Sequence, residues 1–297
     1  GMLWLESDPD PRITMQLLRL GEPGAERPAV RTDDGVHFDL RPLTRDISGD
    51  FLADGGILRV REALASGRLS AADVDDVRIG PPVTRPGKVV CIGLNYRDHA
   101  DETGQQPPGE PVIFMKASNT VVGPNDDVLI PRKSTKTDWE IELGVVIGAE
   151  ARYLESPAAA AEVVAGYAIS HDVSEREFQL ERGGQWDKGK SCETFNPLGP
   201  WLVPGTDITD VGRLGLRLWV NGVRRQNGST SDLIFDVNYV IWYLSQFMVL
   251  EPGDLVNTGT PAGVALGMPG QPYLRPGDVV ELEVDGLGRQ RQQFRAA

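Results

Sequence analysis

Asp138-Trp139-Glu140-Ile141-Glu142-Leu143-Gly144-Val145-Val146-Ile147-Gly148 alternates acidic and apolar residues, then runs into a β-branched block closed by glycine. The pattern reads as a strand with Trp139, Ile141 and Leu143 on a core face. Asp138, Glu140 and Glu142 then share the opposite face, successive acids roughly 6–7 Å apart. Carboxylates gathered this closely repel one another, and burying them unpaired is costly or forces protonation. A hard divalent cation such as Mg²⁺ or Ca²⁺, which prefers oxygen ligands, removes the conflict. An edge strand with a solvated acidic face has the same spacing, so the rest of the chain has to decide between them.

A chain of 297 residues, 25% of them charged, suffices for one large soluble domain and a smaller one. The net charge of −13 argues against nucleic acid and anionic membrane surfaces as partners, which leaves a small molecule. Two cysteines, Cys91 and Cys192, cannot build a disulfide framework, so a cytoplasmic setting is expected. No apolar run approaches the roughly 20 residues of a membrane-spanning helix, and the start lacks the pattern of a secretory signal. Gly1 is no native initiator, and residues 1–14 read as an N-terminal extension or tag remnant.

Gly80-Pro81-Pro82-Val83-Thr84-Arg85-Pro86-Gly87 is the best boundary in the chain, and it divides a small N-terminal domain (15–85) from a larger one (86–297). In the first, strands are expected at Met15–Leu20 and Gly35–Leu40, and a helix over Ile57–Ser66. In the second, the buried strand at Lys88–Leu94 runs into His99 and Glu102, whose spacing makes them neighbours on a helical turn. A carboxylate beside an imidazole orients it and raises its basicity, as a general base requires. A surface helical pair has the same spacing.

Ser156-Pro157 is expected to open an Ala-rich helix that Gly166 closes. Tyr167–Asp172 alternates as a strand, with Asp172 at its end. Ser174-Glu175-Arg176-Glu177 reads as a capping box, so a helix carrying Arg176 and Gln179 on one face should follow at once. Gly184 with Gly189-Lys190-Ser191 has the spacing of a phosphate-binding loop, but no strand precedes it, and nucleotide binding is rejected. Asp232–Met248 reads as the longest helix. Thr258-Gly259-Thr260-Pro261-Ala262-Gly263 is a glycine-rich loop expected to expose hydroxyls and backbone N–H groups.

Taken in order, Gly93-Leu94-Asn95-Tyr96 with His99 and Glu102, Glu140-Ile141-Glu142-Leu143, His171–Arg176, Gly189-Lys190-Ser191 and Gly259–Gly263 resemble the fumarylacetoacetate hydrolase family. The likeness runs from about Lys88 to the C-terminus. Gly184-Gln185-Trp186 and Pro197–Trp201 resemble its diketo-deoxy-sugar-acid hydrolase, acylpyruvase-like or ureidoglycolate lyase members. The resemblance implies an α+β, mainly β fold, a rolled mixed β-sheet domain with flanking helices beside the small N-terminal α/β domain, usually as a homodimer. It implies Mg²⁺ or Mn²⁺ held by Glu140, Glu142 and Asp172, with Ca²⁺ as a stand-in. His99 and Glu102 would activate water, Lys190 would lie near the reacting oxygen, and Arg176, Gln179 and Thr260 would contact substrate. Cys192-Glu193 stands where relatives commonly carry an aromatic and then Asp, a departure that bears on substrate choice.

Such groups can cleave the C3–C4 bond of an acylpyruvate. Water activated by His99 attacks the distal carbonyl, and a pyruvate enolate leaves with its oxygen on the metal near Lys190. The same centre would serve oxaloacetate decarboxylation, ureidoglycolate cleavage, or isomerisation and dehydration of keto acids. A structural cation in a sugar-acid-binding domain is the non-enzymatic alternative, and it needs neither the His99/Glu102 pair nor Lys190.

Overall fold

The acidic stretch lies in the middle of a six-stranded sheet. In the computed structural model, which describes residues 14–297, the order is Val203–Pro204, Val164–His171, Ile141–Ile147, Leu255–Asn257, Val89–Gly93 and Val112–Lys116. The extension expected over residues 1–14 thus lies, up to residue 13, outside the described residues. Leu255–Asn257 runs parallel to Val89–Gly93, and the other pairings in this sheet are antiparallel.

Strand alternation sets what each face meets. Ile141, Leu143, Val145 and Ile147 join a core with Leu216, Leu218, Leu282 and Phe294 of a five-stranded sheet, and with Val240, Ile241 and Leu244 of the helix Val237–Ser245. The opposite face, through Val89, Cys91, Val146 and Leu255, shares a second core with Met15, Leu17, Val30, Phe51 and Val60. Those residues belong to an antiparallel sheet of Met15–Leu20, Arg27–Thr32 and His37–Asp39 and to the helices Gly49–Ala53 and Gly56–Ala65. A strand covered on both faces reads as a continuous apolar run, as Leu143–Ile147 does.

The sheet is rolled. Val112–Lys116 and Val164–His171 stand four places apart in strand order, yet Lys116 Nζ reaches Asp172 Oδ1, just beyond the second strand, at 2.5 Å. At about 4.8 Å per strand a flat sheet would hold these elements almost 20 Å apart. The architecture is therefore the expected α+β one, mainly β, with a rolled mixed sheet and flanking helices.

Four local expectations need correction. The acidic strand is broken: Thr137–Asp138 pairs with Ser174–Glu175, and the long strand begins only at Ile141. Pro157–Glu162 is a 3₁₀ turn, and Gly166 lies inside a strand, because Val164 onward pairs with the acidic strand while only Ala160 of the Ala run is buried. Asp236, whose Oδ1 accepts Tyr239 N–H at 2.9 Å, starts the last long helix, and Leu233 and Ile234 instead bond to Tyr96 and Asn95. The helix expected from the capping box begins at Arg176, capped by Glu175 rather than Ser174. A further strand, Arg27–Thr32, was hidden by its arginines and Pro28.

Candidate active site

On the face that carries Val146 and Gly144, the next even-numbered residues are Glu142 and Glu140, and the neighbouring strand ends beside them at Asp172. One carboxylate oxygen from each of Glu140, Glu142 and Asp172 lies within 4.8 Å of the others, and all three residues are buried. Asp172 is fixed by its N–H, which donates to Glu140 O at 3.0 Å.

Cations crowd this cluster. Lys190 Nζ stands 3.4 Å from both Glu140 oxygens, 3.3 Å from Asp172 Oδ2 and 2.8 Å from Ser174 Oγ. Lys116 Nζ donates to Asp172 Oδ1 at 2.5 Å and to Val173 O at 3.0 Å. Arg176 Nη2 lies 2.9 Å from Glu140 Oε2, while its Nε donates to Asp138 Oδ2 at 2.9 Å and its Nη1 to Gln179 Oε1 at 3.0 Å. Burial by itself would raise the Glu140 carboxyl, but Lys190 and Arg176 outweigh it and hold Glu140 well below the ordinary range. Lys190 stays charged for the converse reason: burial disfavours its ammonium, and Asp172 and Glu140 more than offset that.

Glu142 has no such help. Its Oε1 accepts Gly259 N–H at 2.8 Å, and its Oε2 is buried without a partner. Burial first, then the charges of Asp172 and Glu140, push its carboxyl well above the usual value. An orphaned carboxylate oxygen facing two more carboxylates, with only oxygen donors in reach, suits a hard divalent cation. Glu140, Glu142 and Asp172 fit that ion.

His99 and Glu102 lie on the short helix Arg97–Glu102, with His99 Nδ1 3.0 Å from Glu102 Oε2. A carboxylate can only accept, so Nδ1 carries the proton and Nε2 is left as the basic nitrogen. Glu102 is held in turn by Gly263 N–H at 2.9 Å. The turn before this helix is anchored by Asn95, whose Nδ2 donates to Thr258 O at 2.8 Å and to Phe235 O at 3.0 Å. Gly259 makes this approach possible. Its φ is +111°, and a Cβ there would sit 2.9 Å from Asn95 Cβ.

One cavity of about 60 Å³ is lined by His99, Glu140, Arg176, Gln179, Lys190 and Thr260, together with an apolar wall. The expected catalytic and substrate-contact residues therefore meet, except that Glu102 stands behind His99. The loop hydroxyls are not exposed as expected. Thr258 Oγ1 donates to Leu143 O at 2.8 Å and Thr260 Oγ1 to Ile141 O at 2.7 Å, so both pin the loop to the acidic strand. Asp138 does not join Glu140 and Glu142, because the break at Trp139 turns it toward Arg176 and the N–H groups of Ala265 and Leu266. Cys192 and Glu193 line a separate surface groove with Arg132 and Arg295, so that departure lies away from this cavity.

Sequence reading missed Lys116, Ser174, Phe114 and Trp186. For Lys116 a signal existed: a lone lysine two residues from Phe114 on an otherwise apolar strand, hence on the same face. What it would meet across the roll was not readable.

The family model described as "Fumarylacetoacetate (FAA) hydrolase C-terminal" matches residues 88–295. A Burkholderia multivorans protein with a provisional hydrolase name and no stated substrate is 50% identical over 284 residues, 95% of this chain and 100% of that one. Among solved structures, fumarylacetoacetate hydrolase from Exiguobacterium antarcticum is similar with a TM-score of 0.81 and 34% identity, over 95% of this chain and 100% of that one. Maleylpyruvate hydrolase from Sphingobium sp. SYK-6, solved with manganese(II) and pyruvate, has a TM-score of 0.77 and 27% identity, over 95% and 99% of the two chains.

Proposed function

We propose that this chain, which belongs to the fumarylacetoacetate hydrolase family, hydrolyses the C–C bond of a 1,3-diketo acid of the acylpyruvate type and depends on a divalent metal. The observation that carries the reading is that one cavity is lined by His99, which pairs with Glu102, by the buried ammonium of Lys190 and by Glu140, one member of a three-carboxylate cluster. Glu140, Glu142 and Asp172 would hold Mg²⁺ or Mn²⁺, which when bound supplies Lewis-acid polarisation and a template for the substrate's carboxylate and 2-oxo group.

His99, through Nε2, takes a proton from the water that attacks the distal carbonyl, and Glu102 keeps the imidazole in that tautomer and stabilises its cation. Lys190, held charged by its acidic neighbours, donates toward the oxyanion that develops as the bond between C3 and C4 breaks. Arg176, itself tied to Asp138 and Glu140, presents with Gln179 and Thr260 the polar wall that orients the substrate. Residues 86–297 form the catalytic unit in this reading and 15–85 a smaller domain. A cytoplasmic homodimer that takes a small keto acid as substrate, with neither nucleic acid nor membrane as partner, belongs to the same proposal. No helix of the described residues is long and apolar enough to cross a membrane.

Acetylpyruvate hydrolysis and oxaloacetate decarboxylation, each measured with and without Mg²⁺, test this. His99→Ala should lose roughly 10² or more on acetylpyruvate, the usual contribution of a general base. It should keep most decarboxylation, which needs no attacking water, while Lys190→Ala harms both. Equal losses on both substrates in His99→Ala would show that His99 does not activate water.

A further inference from the structure

The cavity has two unlike sides. Its cations are ion-paired, Lys190 with Glu140 and Asp172 and Arg176 with Asp138 and Glu140, although Arg176 Nη2 makes no aligned hydrogen bond. With them on the polar side stand His99, Glu140, Gln179 and Thr260; the other side, apart from Thr103 and Gln105, is apolar: Ile92, Leu94, Phe114, Leu180, Trp186 and Leu266. Phe114 and Trp186 form the centre of this wall, with ring centroids 5.4 Å apart and planes tilted by 57°. The indole packs on bare backbone, since a Cβ at Gly93 would lie 2.7 Å from Trp186 Cζ3. Lys190 Nζ stands 4.7 Å from the Phe114 centroid, so the aromatic pair begins where the polar chemistry ends.

Beyond this pair a groove of about 330 Å³ shares Phe114 and Trp186 and adds Val112, Ile113 and Met115, and its only charged side chain is Asp187. The cavity, about 60 Å³, is smaller than this groove, and Phe114 and Trp186 border both, so a longer acyl chain has its room along these two rings. Neither space offers a free cation to a second carboxylate, and Asp187 would repel one. To a chain of hydroxyls the two spaces offer only Thr103, Gln105 and Gln185 against an apolar majority.

We infer that the substrate's acyl group is uncharged and apolar, and that Trp186 and Phe114 select it: the enzyme takes alkanoyl- or aroylpyruvates in preference to diketo dicarboxylates and polyhydroxylated diketo acids. The inference rests on the hydrolase reading above and narrows it. Charged acyl ends would have to be desolvated against the indole without a partner, whereas each methylene gains from leaving water.

The test compares kcat/KM for substrates of matched length in the presence of Mg²⁺. Going from acetylpyruvate to 2,4-dioxoheptanoate should raise kcat/KM about threefold to fourfold per methylene. The carboxylated analogue 2,4-dioxoheptanedioate should fall about 10²-fold or more below 2,4-dioxoheptanoate. A 5-hydroxyl on acetylpyruvate should bring no gain. Trp186→Arg should reverse the order of the two seven-carbon substrates. If the dicarboxylate or the hydroxylated acid is the better substrate of the unaltered enzyme, the inference is wrong and the hydrolase reading stands. If no diketo acid is cleaved, that reading fails, and binding then judges the wall by itself. Tryptophan fluorescence titrations should show 2-oxohexanoate binding at least about tenfold tighter than 2-oxoadipate, and equal affinities would overturn the inference.

Discussion

Asp138 and Glu142 are buried acids four residues apart, and they live in opposite electrostatic conditions. Asp138 Oδ1 accepts the N–H groups of Trp139 and Ala265 at 2.8 and 2.9 Å, and its Oδ2 accepts Leu266 N–H and Arg176 Nε, each at 2.9 Å. Glu142 has one backbone donor and an oxygen with none. The first carboxylate is a structural clasp that joins the acidic stretch to the helix of Arg176 and to the loop after Gly263. The second is left in conflict with its neighbours, a condition that only a proton or a cation relieves. Satisfaction of the lone pairs, not burial, separates the clasp from the candidate ligand.

The contrast can be broken at either end. The largest effect is expected at the unsatisfied end, where Glu142→Ala should abolish Mg²⁺ uptake and acetylpyruvate hydrolysis while circular dichroism and Tm stay near those of the unaltered protein. Unchanged metal content in titration calorimetry would remove Glu142 from the ligand set.

At the satisfied end the cost is in stability. Asp138→Asn leaves the Arg176 guanidinium without its full charge partner in a buried setting, and unfolding in urea should show a loss of about 3–5 kcal/mol. A loss below about 1 kcal/mol would mean that Glu140 alone suffices to hold Arg176.

A subtler test uses pH without metal. The Glu142 carboxyl is raised above its ordinary 4.5 in the folded state, so above that pH the folded chain binds more protons than the unfolded one. Stability from this group therefore falls as pH rises from about 4.5, the opposite of a paired carboxylate. Without divalent ions, Glu142→Gln should remove that part of the slope and be more stable than the unaltered chain near neutral pH. Added Mg²⁺ should release protons from the unaltered protein only. Parallel urea midpoints for the two proteins across this range would contradict the assignment.

The smallest effect is expected at Lys116, which orients Asp172 from across the roll. Lys116→Met should weaken Mg²⁺ binding about 10-fold to 100-fold, the range for groups that position a metal ligand, and lower Tm, because Asp172 then keeps only Lys190 as a charged partner. Unchanged affinity would make Lys116 a counter-charge only.

Much of this site was legible before any coordinates. The spacing of Glu140 and Glu142 placed both on one face, the three-residue step from His99 to Glu102 made them neighbours on a helical turn, and Asp172 stood at a strand end. These are local relations, fixed by two or three residues of backbone geometry. The exposure of the Thr258 and Thr260 hydroxyls was misread because a hydroxyl in a glycine-rich loop gives no sign of whether solvent or a strand carbonyl will receive it. The aromatic wall was invisible for a related reason, since Trp186 meets Phe114 through a contact between segments 72 residues apart.

The sequence by itself determined the acidic face and the paired imidazole, because alternation and helical spacing are short-range and recur with every turn or pleat, and it carried the mainly β architecture through its family resemblance. Tertiary structure alone decided which acid became the clasp and which was left without partners, since that depends on where Arg176, Ala265 and Leu266 arrive. It also decided that Lys116 meets Asp172, because the curl that brings distant strands together accumulates from small twists that no short stretch encodes.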